Sequence, residues 1–220
     1  MVFSSHLFVF YFLPLVLAVY FLLPLRGKHI WLTLMSYLFY GWANPWFVTL
    51  MMFQTVVDWL AGMTLANQWG QRGEVQLLPA GGPRSGIQKA ALAIALISNL
   101  CLLGFFKYFN FGVDTWNAAL TAAGWEAARW DTLLRITLPL GISFYTFQSM
   151  SYAIDVYRGD ARAIRGILDS RCYVAMFPQL VAGPIVRFQD VADQFLRRTH
   201  TLEKFARGTA FFAFGLAKKI

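Results

Sequence analysis

Titratable chemistry is scarce in this chain: of 220 residues, two are cysteine, three are histidine and 14% are charged. Cys101 lies inside an apolar run and Cys172 beside Arg171, with no spacing pattern between them. That excludes a disulfide framework and a cysteine-based metal cluster, and both read as packing residues. His6 sits near the N-terminus, His29 adjoins Lys28, and His200 stands in a basic stretch with Arg197 and Arg198. None has a Ser, Cys or acid at triad-like spacing, and each lies outside the apolar runs, so all three read as solvated or headgroup-facing. Gly-rich phosphate loops, nucleophile elbows and metal-ligand clusters are likewise missing. The residues alone name no catalytic group and no metal site.

Apolar surface is what the chain has in abundance. Hydrophobic residues make up 58% and aromatics 17%, with a mean hydropathy of +0.51, far from the balance of soluble domains. The composition specifies an all-α polytopic membrane protein, read as a single membrane domain over 1–220. Nineteen Lys and Arg against eleven Asp and Glu give a net charge of +8. They are interleaved with the apolar runs and form no single patch, so no nucleic-acid partner is expected; membrane topology and anionic lipid headgroups account for them.

About five transmembrane helices are expected. Residues 7–25 are nearly all apolar and span about 28 Å as a helix, enough to cross. No Lys or Arg precedes them, Arg26 and Lys28 follow, and no small-residue cleavage pattern appears. This predicts a retained first span with its N-terminus outside, and not a secretion signal. After a basic turn at 26–29, a second stretch at 30–42 meets the turn signal Asn44-Pro45, and a third occupies 46–66. The Gly- and Pro-rich segment 67–88 reads as a flexible loop. A fourth span at 89–106 is closed by Lys107, the tryptophan-bearing segment 108–131 suits an interfacial helix and loop, and a fifth span covers 132–156. Alternating sides then gathers Arg26, Lys28, Arg72, Arg84, Lys89, Arg158, Arg162, Arg165 and Arg171 on one face, against Lys107, Arg129 and Arg135 on the other, and the positive-inside rule makes the first face cytoplasmic.

Between Arg171 and Arg187 lies an apolar run broken by Pro178, Gly183 and Pro184. It is too short to span, since a crossing helix needs roughly 20 apolar residues, and its prolines remove backbone donors that lipid cannot replace. Irregular backbone at membrane depth is tolerated inside protein or beside a cavity, so the run is expected to be a re-entrant segment. Basic residues on both sides make it dip from the cytoplasmic face and return. Phe188, Val191, Phe195 and Leu196 then recur at helical spacing, an amphipathic helix for the membrane surface or a partner groove. The segment 202–220 ends in mid-pattern without a cap, which reads as a chain cut within an element.

Two polar features interrupt the spans. Tyr145, Gln148, Tyr152 and Asp155 fall in one narrow arc of the fifth helix, with Gly141 beside them; such a stripe faces protein or water, as a tunnel wall or as a polar seam between helices. Asp155 is close enough to Arg158 in sequence to pair with it. Asp58 sits near the middle of the third span, where an aspartate costs roughly 2.5 to 3.5 kcal/mol, and must have a partner such as a neighbouring helix end or an indole.

The segments Ser-Tyr-Leu-Phe-Tyr-Gly-Trp at 36–42, Ser-Phe-Tyr-Thr-Phe-Gln-Ser-Met-Ser-Tyr-Ala-Ile-Asp-Val-Tyr-Arg-Gly at 143–159 and Phe-Pro-Gln-Leu-Val-Ala-Gly-Pro-Ile at 177–185, with Met-Val-Phe-Ser-Ser at the start, resemble the membrane-bound O-acyltransferase family. The resemblance covers essentially the whole chain and matches the N-terminal half of family members. It implies a helical fold with a tunnel through the membrane. The donor, acetyl-CoA or another acetyl carrier, would enter as substrate from the cytoplasm, with no bound cofactor. The acceptor would be a periplasmic polysaccharide such as alginate, with cellulose, peptidoglycan or teichoic acid as alternatives. Inner-membrane lipid and periplasmic O-acetylation proteins are the implied partners. The family's histidine, its general base, belongs to the later half and matches none of His6, His29 and His200, so no catalytic residue is carried over. Tyr145, Gln148, Tyr152 and Asp155 match the family's span, and Pro178, Gln179, Gly183 and Pro184 its re-entrant motif; all eight are implied to shape the tunnel.

A transporter or flippase subunit also uses broken apolar segments. It predicts a second, related broken segment from an internal repeat, and these 220 residues contain none. A structural membrane subunit without activity of its own is the third reading.

Overall fold

The computed structural model describes residues 5–42, 44–69, 75–125, 130, 135–139, 141–182, 186–196 and 199–218. Its elements are π-helical turns at Leu7–Phe12 running into α1 (Leu13–Leu22), then α2 (Leu25–Gly41), α3 (Pro45–Leu65), α4 (Gly86–Ala122), α5 (Ile142–Arg158), α6 (Ile167–Ala175), α7 (Phe177–Ala182), α8 (Phe188–Leu196) and α9 (Leu202–Ala217). No strand occurs among the described residues, as the composition requires.

Local chemistry sets most boundaries. Leu23-Pro24 separates α1 from α2, because the Pro24 ring disfavours helical backbone at Leu23, which is extended (ψ 148°). The expected basic turn at 26–29 is therefore the first turn of α2. Asn44 caps α3, its side chain accepting from the Trp46 N–H at 3.1 Å with Pro45 in the first turn. Ser85 and Gln88 form a reciprocal capping box that starts α4.

Two expected boundaries are corrected. The fourth span does not stop at Lys107: α4 runs unbroken for 37 residues, about 55 Å, well beyond a hydrocarbon core of about 30 Å. The segment expected to be a separate interfacial helix is thus largely the continuation of α4. Its far end is tied to the following loop by Asn117 and Asn110, whose side chains bond the backbone of Trp130 and Ile136. The fifth span begins ten residues later than expected, after Pro139 and a left-handed Gly141 (φ 73°). A side chain at 141 would also collide with the Leu180 carbonyl.

Among the described residues, α3 and α4 are the two helices long and apolar enough to cross a membrane. They pack with α5, and α2 packs against α6. At Gly62 of α3 a Cβ would run into the Tyr152 hydroxyl, so only glycine allows α5 to approach there. The loop expected to be flexible is anchored where it is described: Arg84 donates to the carbonyls of Tyr157 (2.8 Å), Pro79 (3.0 Å) and Arg158 (3.3 Å). Cys101 faces outward and Cys172 is buried, so only the latter is a core packing residue.

Candidate functional site

The polar stripe of α5 is buried, and its targets are α6, α7 and α8. Tyr145, Gln148, Tyr152 and Asp155 are all inside the fold. Gln148 donates through Nε2 to the Tyr173 carbonyl of α6 at 2.8 Å and to Gln179 Oε1 of α7 at 2.9 Å. The Tyr152 hydroxyl accepts from the Ile164 N–H at 3.1 Å.

Asp155 does not pair with Arg158. Its Oδ2 accepts from the Ser151 hydroxyl at 3.3 Å and from the Gln189 N–H at 3.2 Å, while Ser151 Oγ accepts from the Phe188 N–H at 3.0 Å. Carboxylate and hydroxyl together satisfy the first amides of α8, where negative charge is favoured by the helix dipole. Phe188 is buried edge-on against Tyr152 and Tyr173, with ring centroids at 4.8 and 5.0 Å. The start of the amphipathic helix thus docks inside the protein; the side chains of Phe195 and Leu196 lie outside the described residues.

The broken apolar run is two short helices. The break falls at Met176, and Pro178 occupies the first turn of α7, where its missing N–H has no partner to lose. Phe177 fixes α7 in place. Its N–H donates to Ser36 Oγ at 3.2 Å, and its ring sits among Phe8, Phe12 and Phe39 at 5.5 to 6.1 Å. Gln179 is half-buried and Pro178 faces outward. Gly183 and Pro184 lie outside the described residues.

Asp58 finds its partner in a helix that sequence reasoning passed over. Asn99 of α4 donates to Oδ1 at 2.7 Å, Gln54 donates to Oδ2 at 3.3 Å, and Ser149 of α5 approaches without completing a bond. Asn99 was the overlooked signal, an amide inside the apolar stretch of α4. Several buried oxygens of α3, α4 and α5 have no partner among the described residues: Gln54 Oε1, Asn99 Oδ1, Tyr145 Oη, Thr146 Oγ1 and Ser149 Oγ.

His6 and His200 are exposed, as expected, whereas His29 is withdrawn from solvent. His29 Nδ1 meets Asp169 Oδ1 at 2.5 Å, joining α2 to α6, and His200 Nε2 lies 3.3 Å from the Tyr20 hydroxyl. Among the described residues no group of three or more His, Cys, Asp or Glu side chains could hold a metal ion.

A broken helix pair clamped by a buried polar helix matches the segments that suggested an acyltransferase. Comparison with curated proteins finds similarity over the full length of the chain. The similar proteins include those named "Probable alginate O-acetylase AlgI" in Azotobacter vinelandii, 45% identical over 221 residues, and in Pseudomonas aeruginosa, 44% identical over 221 residues. A peptidoglycan O-acetyltransferase of Helicobacter pylori is 28% identical over 252 residues. Each match covers 100% of this chain and 41%, 39% and 44% of the respective relative, so the chain spans about two fifths of their length. No family model and no solved structure matches.

Proposed function

We propose that this chain is part of a membrane-bound O-acetyltransferase that moves acetyl groups from a cytoplasmic donor towards O-acetylation of periplasmic alginate. The observation that carries the reading is 44–45% identity over the whole chain to proteins named for alginate O-acetylation. The more distant peptidoglycan O-acetyltransferase makes another envelope polymer the second reading.

In this reading the domain sits in the bacterial inner membrane with its N-terminus in the periplasm. The helices ending in α1, α2, α3, α4 and α5 are its five crossings, and α6 with α7 dips from the cytoplasmic face. Tyr145, Gln148, Tyr152 and Asp155, with Pro178, Gln179, Gly183 and Pro184, shape the tunnel wall. The unpartnered hydroxyls of Tyr145, Thr146 and Ser149 support a polar path beside α5, because buried polar atoms without partners are rare unless water or substrate meets them. The donor is acetyl-CoA or another acetyl carrier, the general base lies outside this chain, and periplasmic O-acetylation proteins complete the transfer.

The test is acetyl content of the polymer made by the complete enzyme carrying Gln179→Ala or Tyr152→Ala. Reduced acetylation at normal protein level supports the tunnel assignment; unchanged acetylation removes both residues from it.

A further inference from the structure

The elbow where α1 gives way to α2 holds a buried cation without a counter-charge. Lys28 is 9% exposed, and its Nζ stands 4.9 Å from the centre of the Tyr20 ring in the last turn of α1. Among the described residues no carboxylate pairs with it. Asp169, whose Oδ1 is bonded to the adjacent His29 at 2.5 Å, has its other oxygen over Gly166 at the start of α6. A ring face attracts an ammonium through its quadrupole but carries no net charge. A cation withdrawn from water is costly until an opposite charge meets it.

The first turn of α2 has the same demand. It contains Arg26 and Lys28 and no acid, although the helix dipole favours negative charge there. Pro24 stands at the N-cap and offers no polar side chain, so the amides of Leu25, Arg26 and Gly27 have no side-chain cap. A side chain in the fourth helical position leans back towards this end, as the contact of Lys28 with Tyr20 requires. Ammonium and open amides therefore meet at the elbow, and a phosphate can accept from both.

The surroundings decide what carries that phosphate. Leu7–Leu22 is apolar throughout. Leu15 and Leu22, at i and i+7 on one face of α1, are exposed, and so is Leu25 just past the elbow. Free phosphate would meet the cation and leave this apolar surface bare, whereas a lipid brings the anion and the acyl chains together. We infer that the α1–α2 elbow binds an anionic phospholipid, its phosphate group on Lys28 and the first amides of α2, its acyl chains along Leu15, Leu22 and Leu25.

The test reads binding and not acetyl transfer, so it stands or fails separately from the proposed function. Native mass spectrometry of the purified full chain compares phosphatidylglycerol with the phosphate-free monogalactosyl diacylglycerol, and thermal shift with inorganic phosphate supplies the soluble arm. Wild type is expected to retain phosphatidylglycerol in preference to the galactolipid. Lys28→Gln should weaken that retention about tenfold or more, while Lys89→Gln, at an exposed position in the first turn of α4, leaves it unchanged. Should Lys28→Gln fail to fold, Leu25→Glu decides. It places a carboxylate at an exposed position in the first turn of α2, where it favours the helix and competes with the lipid phosphate for Lys28, so severalfold weaker retention is expected. Equal retention of the two lipids by wild type overturns the site. So does phosphatidylglycerol held equally by wild type and Lys28→Gln, or by wild type and Leu25→Glu where Lys28→Gln does not fold. Stabilisation by inorganic phosphate with no preference for phosphatidylglycerol overturns the assignment to a lipid.

Discussion

Gln148 of α5 and Gln179 of α7 are hydrogen-bonded at 2.9 Å, and the same Gln148 Nε2 also holds the Tyr173 carbonyl of α6 at 2.8 Å. One amide thus fixes both halves of the broken run on either side of Met176. Replacing it with Gln148→Leu keeps the volume roughly constant and leaves two acceptors unpaired. That should lower stability by about 1 to 3 kcal/mol and reduce acetylation of the complete enzyme beyond what protein level explains. Thermal unfolding in detergent, run beside acetyl content, separates the two effects.

Asp58 is 1% exposed and is held by Asn99 and Gln54. In Asp58→Leu the two amides lose their acceptor, and destabilisation of about 1 to 3 kcal/mol is expected. Asn99→Leu removes the shortest donor from a buried carboxylate and should cost at least as much. If the two variants and their double mutant give simply additive losses in unfolding free energy, the contact does not couple α3 to α4.

At Gly62 α3 and α5 approach so closely that a Cβ would collide with the Tyr152 hydroxyl. Gly62→Ala should push Tyr152 off the Ile164 N–H and destabilise the protein, against the usual gain of about 1 kcal/mol for Gly→Ala inside a helix. Combining it with Tyr152→Phe should recover part of the loss, which unfolding of the three variants measures.

Asp155 and Ser151 cap α8 through Gln189 and Phe188. Loss of a cap of this kind costs about 0.5 to 2 kcal/mol. Asp155→Ala is expected to loosen the start of α8, seen as faster proteolysis at Arg187 in limited digestion, while Arg158→Ala leaves that rate unchanged. Faster cleavage in Arg158→Ala alone would restore the Asp155–Arg158 pair that the sequence spacing suggested.

What the sequence made legible was whatever depends on periodicity and strong local signals. Asn44-Pro45 marks a helix start, and the buried stripe at 145, 148, 152 and 155 follows from helical spacing alone, whereas the capping box of Ser85 and Gln88 went unread inside a Gly- and Pro-rich stretch. The break in the run at 172–186 was legible from its prolines, although it falls at Met176 because Pro178 is tolerated in a first turn. Long-range pairings were not legible. Nothing local distinguishes Asn99 as the partner of Asp58, 41 residues away, or Asp169 as the partner of His29, 140 residues away. The continuity of α4 past Lys107 was hidden by a charged residue that suggests a membrane boundary but does not break a helix.

The most direct test of the central claim exchanges this chain for the matching two fifths of the Azotobacter vinelandii relative and measures O-acetyl groups on the alginate produced. The account predicts acetylated polymer from the chimera, and loss of that acetylation when Gln179→Ala is introduced. Unacetylated alginate, with the chimera present in the membrane at normal level, would contradict it.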